Sequence, residues 1–304
     1  MSDSGMTRRD FLARSAVLAG AAAFPKLVLG DDAPPRAKVV VVTAPSSING
    51  AGNADAAVVR RMMEKGITAL SGRNDVAEAW KTFVRAGDKV AFVDAGTKLF
   101  NVPETAVEAL RGIKLASPAD FTFAVCQRST NNAAWVTAVK AGMAGFDMPE
   151  TVVNRDIYSI PCHFHEKGFT TIVTTPTLKS HGLAGVAGVV KQYCTMGKVS
   201  PRAHHANGMQ TAGSVLAEEF STQRHLVIVD ALRFGKSDTV QYYQGSLIFG
   251  TDPVATDMVA LEIYLRNCAT GNNVPPDRHR SLADTQYKAG ISDRARIDVV
   301  NLTL

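Results

Sequence analysis

The densest chemistry in this chain lies between residues 162 and 205. Cys162-His163-Phe164-His165-Glu166 sets a thiol, two imidazoles and a carboxylate within five residues. His163 and His165 are two apart, so in an extended segment they share a face. Two imidazoles on one face can hold a transition metal, with Glu166 as a supporting ligand or base. The alternative is a solvated loop before Lys167-Gly168. Farther on, Thr174-Thr175-Pro176-Thr177-Leu178-Lys179-Ser180-His181 reads as a strand running into a proline turn. Lys179 suits an anionic substrate as a point charge. His181 suits proton transfer near neutral pH. The alternative is a strand-end loop with surface Lys and His.

Gly182-Leu183-Ala184-Gly185-Val186-Ala187-Gly188-Val189-Val190-Lys191 has a glycine at every third position. Such residues let the backbone approach a ligand or a neighbouring element closely. Lys191 closes this apolar stretch, so it either snorkels or is partly buried with a lowered pKa. We therefore expect Lys179, His181 and Lys191 to be catalytic, and His163, His165, Glu166 and Asp257 to ligate a metal. His204 and His205 form a second imidazole pair in a polar loop. In Gly250-Thr251-Asp252-Pro253-Val254-Ala255-Thr256-Asp257, Asp252 before Pro253 reads at least as well as a helix N-cap as it does as a chemical group. Asp257 follows near the start of that helix. Asp230, at the end of an apolar run, completes a set of carboxylates that a cation could use.

These residues need elements to position them. Lys38–Thr43, Asp88–Asp94, Phe121–Cys126, Thr171–Thr175, His225–Asp230, Ser246–Gly250 and Arg296–Leu302 read as strands. Asp55–Leu70, Val76–Val84, Pro103–Leu110, Asn131–Gly142, Leu216–Phe220 and Pro253–Leu265 read as helices. Strand and helix alternate, which predicts an α/β fold: a largely parallel twisted sheet with helices on both faces. Ligands in such sheets bind at the carboxyl ends of strands. That rule points to the loop after Thr43, to Asp94–Lys98, to Pro176–His181 and to the chain from Asp230 onward. No nucleotide-binding glycine fingerprint, serine nucleophile elbow or His-Glu-x-x-His pair occurs.

Thr7-Arg8-Arg9-Asp10-Phe11-Leu12 is followed by an Ala- and Gly-rich apolar stretch too short to span a bilayer. Arg8 and Arg9 therefore read as the motif of a twin-arginine signal peptide over residues 1–30. We expect export, already folded, through the twin-arginine machinery to the periplasm, with no membrane span in the mature chain. A Pro-containing linker over 31–37 precedes a single α/β domain over 38–304. The net charge of +5 is too mild, and its lysines and arginines too scattered, to indicate a nucleic-acid partner. Cys126, Cys162, Cys194 and Cys268 lack Cys-x-x-Cys spacing, so there is no iron–sulfur or haem motif. In an oxidising compartment they would be disulfides or buried thiols.

Four motifs together carry a resemblance. They are Pro176-x-Leu178-Lys179-x-His181, the glycine-rich run to Lys191, Val229-Asp230-Ala231, and Gly250-Thr251-Asp252-Pro253-Val254-Ala255-x-Asp257. In this order, over roughly residues 85–265, they resemble the domain-of-unknown-function family 362. The chain departs from that family's pattern in Val93-Asp94-Ala95-Gly96, where a Lys-Pro-Asn is usual, and in Lys191-Gln192, where Lys-Asn is usual. It looks like an exported member without the ferredoxin module that others carry. The family has no settled activity. Its distant similarity to the nickel-dependent lactate racemase group implies His and Lys around a metal-containing cofactor. The expected function is an exported protein that binds a metal or cofactor and acts as a redox or isomerising enzyme on a small anion. The alternative is a non-catalytic periplasmic binding protein for such an anion.

Overall fold

Four consecutive valines, Val39–Val42, favour extended backbone because branching at Cβ restricts the side chain against a helical turn. In strand β1 (Ala37–Thr43) they alternate, Val39 and Val41 to one face and Val40 and Val42 to the other, and all four are buried. A strand apolar on both faces must be covered on both. The protein is described by a computed structural model over residues 35–94, 100–116, 120–126, 132–145, 151–154, 168–194, 196–197, 210–236, 239–268 and 275–304. Arg36–Leu304 form one compact unit.

After β1 come helices α1 (Ala56–Ser71) and α2 (Val76–Phe83), then β2 (Lys89–Asp94) and α3 (Pro103–Leu115). Strand β3 (Asp120–Cys126), α4 (Asn132–Gly142) and β4 (Thr151–Asn154) follow. Next are β5 (Thr171–Thr175), β6 (Thr177–His181), β7 (Gly185–Ala187) and the short helix α5 (Val189–Tyr193). The chain continues through α6 (Ala212–Glu219), β8 (Arg224–Lys236), β9 (Thr239–Gly250), α7 (Pro253–Asn267), α8 (Arg278–Thr285) and β10 (Ile297–Thr303).

One sheet runs β10-β1-β9-β8-β5-β2-β3-β4, with β6 and β7 attached beside β8. Along that path every neighbouring pair is parallel except those made by β9, which runs against both β1 and β8. The predicted α/β fold, largely parallel with helices on both faces, is the observed one. Helices α1 to α3 cover the face of Val40, Val42 and Phe249; α5 to α8 cover the face of Val39, Val41 and Ile248.

Helix α1 begins where Asp55 accepts hydrogen bonds from Ala57 N and Val58 N, satisfying donors that the first turn leaves open. It buries Val58, Val59, Met62, Met63 and Ile67 at helical spacing. Gly66 on that inner face admits the ring of Phe249: a Cβ there would lie 2.2 Å from it.

Three readings change. The strand expected to end at Asp230 continues to Lys236, because β9 pairs with it along a long hairpin. That extension offers an edge to residues 177–181, so the expected turn region is strand β6. Pro176 has no N–H and interrupts the ladder, but its carbonyl still accepts Asp230 N at 2.8 Å. Helix α8, which has no clear apolar period, has no counterpart among the elements expected from sequence, and neither have β4, β7 and α5. Among the described residues no helix is long and apolar enough to cross a membrane.

Candidate functional site

Lys179 and His181 are alternate residues of β6, so they share a face, while Leu178 and Ser180 between them are buried. Opposite them on β7 stand Ala187 and Gly185, whose small size leaves that face uncrowded. The Lys179 ammonium sits 6.0 Å from the centre of the Phe100 ring, within cation–π reach. Phe100 is held by Arg233 of β8, which donates to the carbonyls of Phe100 (3.3 Å), Asn101 (3.2 Å) and Gly52 (2.8 Å). His181 Nδ1 accepts Leu183 N at 3.2 Å, an arrangement that fixes its ring in the turn between β6 and β7.

Lys191 lies on α5. Gln192 beside it anchors the helix to the strand ends: its amide donates to Val93 O at 3.2 Å and accepts from Thr174 Oγ1 at 2.7 Å. The position where the sequence departs from the pattern of the family it resembles thus has a structural task. Burial lowers the pKa of Lys191, and nearby Lys179 lowers it further, against the opposite pull of Cys194. Among the described residues no carboxylate stands among the charges that act on it. Burial pushes the Cys194 thiol up to about 12, so it is a neutral core thiol. Cys194 and Cys268 are free and buried.

Asp257 is engaged by protein on both oxygens. Oδ1 accepts Arg280 of α8 at 2.8 Å, and Oδ2 accepts Val190 N at 2.8 Å. Arg280 also donates to Val186 O of β7 at 3.2 Å and to Pro276 O. One buried ion pair therefore fastens α7, α8, β7 and the start of α5 together. It explains the last glycine of the run: a Cβ on Gly188 would lie 2.0 Å from Asp257 Oδ1. Asp257, expected as a metal ligand, is here the clamp that places Lys191.

Asp252 caps α7, accepting Val254 N and Ala255 N, and its other oxygen accepts Ile291 N at 3.0 Å. Asp230 is fully buried and accepts Val102 N at 2.8 Å and Leu232 N at 3.2 Å. It holds the entry to α3, whose own first residues supply no side-chain cap. Desolvation pushes its carboxyl up to about 6, against the pull of those two N–H groups. Asp94, at the end of β2, is also buried and accepts Thr175 Oγ1. Both carboxylates serve the strand ends as structural acceptors.

Sequence reasoning missed His279, on α8 next to Arg280. It is 2 % exposed, and its Nε2 has no hydrogen-bond partner among the described residues. Its pKa lies well below the usual histidine value, first through burial and then through Arg280, Lys191 and His181. No short motif marks it, since its neighbours come from β6 and α5 about a hundred residues earlier. The structure thus brings Lys179, His181 and Lys191 into one basic cluster and adds His279. Asp230, Asp252 and Asp257 act beside it as scaffolding. Arg8, Arg9, Cys162, His163, His165, Glu166, His204 and His205 lie outside the described residues. Among the described residues no group of three or more His, Cys, Asp or Glu is placed to hold a metal ion.

No curated protein matches this chain. Among solved structures it is similar to a structural-genomics protein from Thermotoga maritima, at 10 % identity and a TM-score of 0.42. That match covers 70 % of this chain and 59 % of the other, so this chain spans under two thirds of that protein's length. A family model matches residues 132–262, a narrower span than the motifs suggested, which includes Lys179, His181, Lys191 and Asp257 but stops short of His279 and Arg280. That stretch is a domain of the family described as Domain of unknown function (DUF362).

Proposed function

We propose that this chain is an exported α/β protein that binds a small anionic substrate through Lys179, His181 and Lys191. The observation that supports this reading is the setting of Lys191: desolvated, close to a second lysine, and, among the described residues, without a carboxylate among the charges that act on it. An ammonium desolvated in that way, on a half-buried side chain, is unfavourable by itself, and a docked anion relieves it. The site's place agrees with the rule that ligands of parallel sheets bind at carboxyl strand ends. His181 is the group suited to move a proton on the bound anion. Isomerisation fits that role directly. A redox step would draw on a metal or cofactor held by His163, His165 and Glu166.

A thermal-shift series with small carboxylates and phosphate tests the anion site. Binding raises the unfolding midpoint of the wild-type protein, and Lys179→Ala and Lys191→Ala remove the rise. A wild-type protein indifferent to every anion of the series overturns the reading. Elemental analysis of protein exported through its own signal tests the catalytic half: stoichiometric metal supports it, and metal-free, colourless protein leaves a binding protein. Export itself is tested by Arg8→Lys with Arg9→Lys, which traps the precursor inside the cell if the pair is a twin-arginine motif.

A further inference from the structure

Within that basic cluster, one atom has a capacity that nothing among the described residues uses. His279 Nε2 is buried and has no hydrogen-bond partner among the described residues. Leaving such a nitrogen unpaired is costly, and native interiors avoid it by giving the atom a protein, water or ligand partner. Its placement is rigid. The adjacent Arg280 is locked to Asp257 and to Val186 O on β7. Val186 pairs with Ser180, which lies between Lys179 and His181 on β6. The first turn of α8 is thereby pinned against the hairpin that carries the proposed anion ligands. Among the described residues, the charges that act on His279 are all of groups able to be cationic: Arg280, Lys191 and His181. A proton added to this ring would face them, so the ring stays neutral, and in the tautomer with its proton on Nδ1 the lone pair is on Nε2.

Lysine ammonium groups only donate hydrogen bonds; a neutral imidazole nitrogen can accept one. A site built from Lys179 and Lys191 alone would take any small oxyanion. Adding an acceptor changes the selection, because a fully deprotonated oxyanion has nothing to give that nitrogen. We propose that His279 is the fourth ligand-binding residue of this site, and that its Nε2 selects small anions that carry an O–H or N–H donor. This rests on the anion reading of Lys179, His181 and Lys191 and adds a substrate class to it. The discrimination comes from the penalty of an unpaired buried acceptor, which separates analogues that differ by one hydrogen more strongly than a change in apolar size does.

Hydrogen phosphate and sulfate are the probes. At mildly alkaline pH they match in size and charge and differ by the one proton that hydrogen phosphate keeps. Calorimetric titration of the wild-type protein should show phosphate binding about tenfold or more tighter than sulfate. His279→Ala should weaken phosphate to the level of sulfate while leaving sulfate binding in place. His279→Gln, whose carbonyl can still accept, should restore part of the preference. The ring resonances of His279 in the wild-type protein should move on adding phosphate and stay put on adding sulfate, a readout that needs no variant to fold. Equal wild-type affinities overturn the inference while the anion site stands. Binding of neither anion overturns both.

Discussion

Asp257 and Arg280 meet at 2.8 Å with neither side chain exposed to solvent, one on α7 and the other on α8. The pair is the joint on which the candidate site turns, since it also holds Val190 N and Val186 O. Removing one partner leaves an uncompensated buried charge. Asp257→Ala should therefore cost about 3–5 kcal/mol, read as a lower midpoint in chemical denaturation. Replacing both residues together with apolar ones should cost less than the single change. A single variant as stable as the wild type would show that the pair is not closed in solution.

Gly188 tests the same joint from the backbone side. A Cβ there would lie 2.0 Å from Asp257 Oδ1 and 2.8 Å from an Arg280 nitrogen. Neither group can retreat without breaking the ion pair. Gly188→Ala should lose roughly 1–3 kcal/mol. Gly50→Ala, where nothing lies within 4 Å, is the control and should stay close to neutral. Equal midpoints for the two variants would refute the close packing.

Asp230 predicts a pH dependence. Its carboxyl is pushed up to about 6 from an ordinary value of 3.8, chiefly by desolvation. A folded value above the unfolded one means that the contribution to stability is complete below about pH 4 and is lost as pH rises through about 6. The amount is roughly 2–3 kcal/mol at this fully buried site. Asp230→Asn carries no ionisation there. The stability of the wild type relative to Asp230→Asn should accordingly improve as pH falls from about 7 to about 4. A difference that stays flat over that range would remove Asp230 as the source.

Lys191 should show opposite effects on stability and on binding. Its ammonium is desolvated and its pKa is lowered. Lys191→Met keeps most of the packing volume and removes the charge. The ligand-free protein should gain about 1 kcal/mol, and the stabilisation by small anions should vanish. Thermal unfolding with and without anion reads both effects. A loss of stability together with an intact anion response would mean that Lys191 is structural.

Much of the fold could be read from local pattern. Val39–Val42 announced a strand covered on both sides, and Asp55 and Asp252 marked helix starts that the structure confirms through their accepted N–H groups. These signals act over a few residues, so one stretch of sequence contains all of each. The extension of the strand beyond Asp230 was not legible, because it depends on β9 pairing alongside it. Strand β6 in turn depends on that extension for its partner edge.

The chemistry divides in the same way. Sequence by itself determined which groups stand at a strand end, since Lys179 and His181 are two residues apart and share a face wherever the backbone is extended. It also marked Lys191 as a charge at the end of an apolar run. Only the tertiary structure decided which acids serve as scaffolding and which nitrogen is left over. Asp257 is spoken for because Arg280, on a helix with no clear apolar period, reaches it from 23 positions away. His279 joins the cluster because that ion pair fixes α8 against β7. The reason is physical: a side chain's role depends on whether a partner has claimed it, and here the partners come from elements that meet only when α5, α7 and α8 pack together on one face of the sheet.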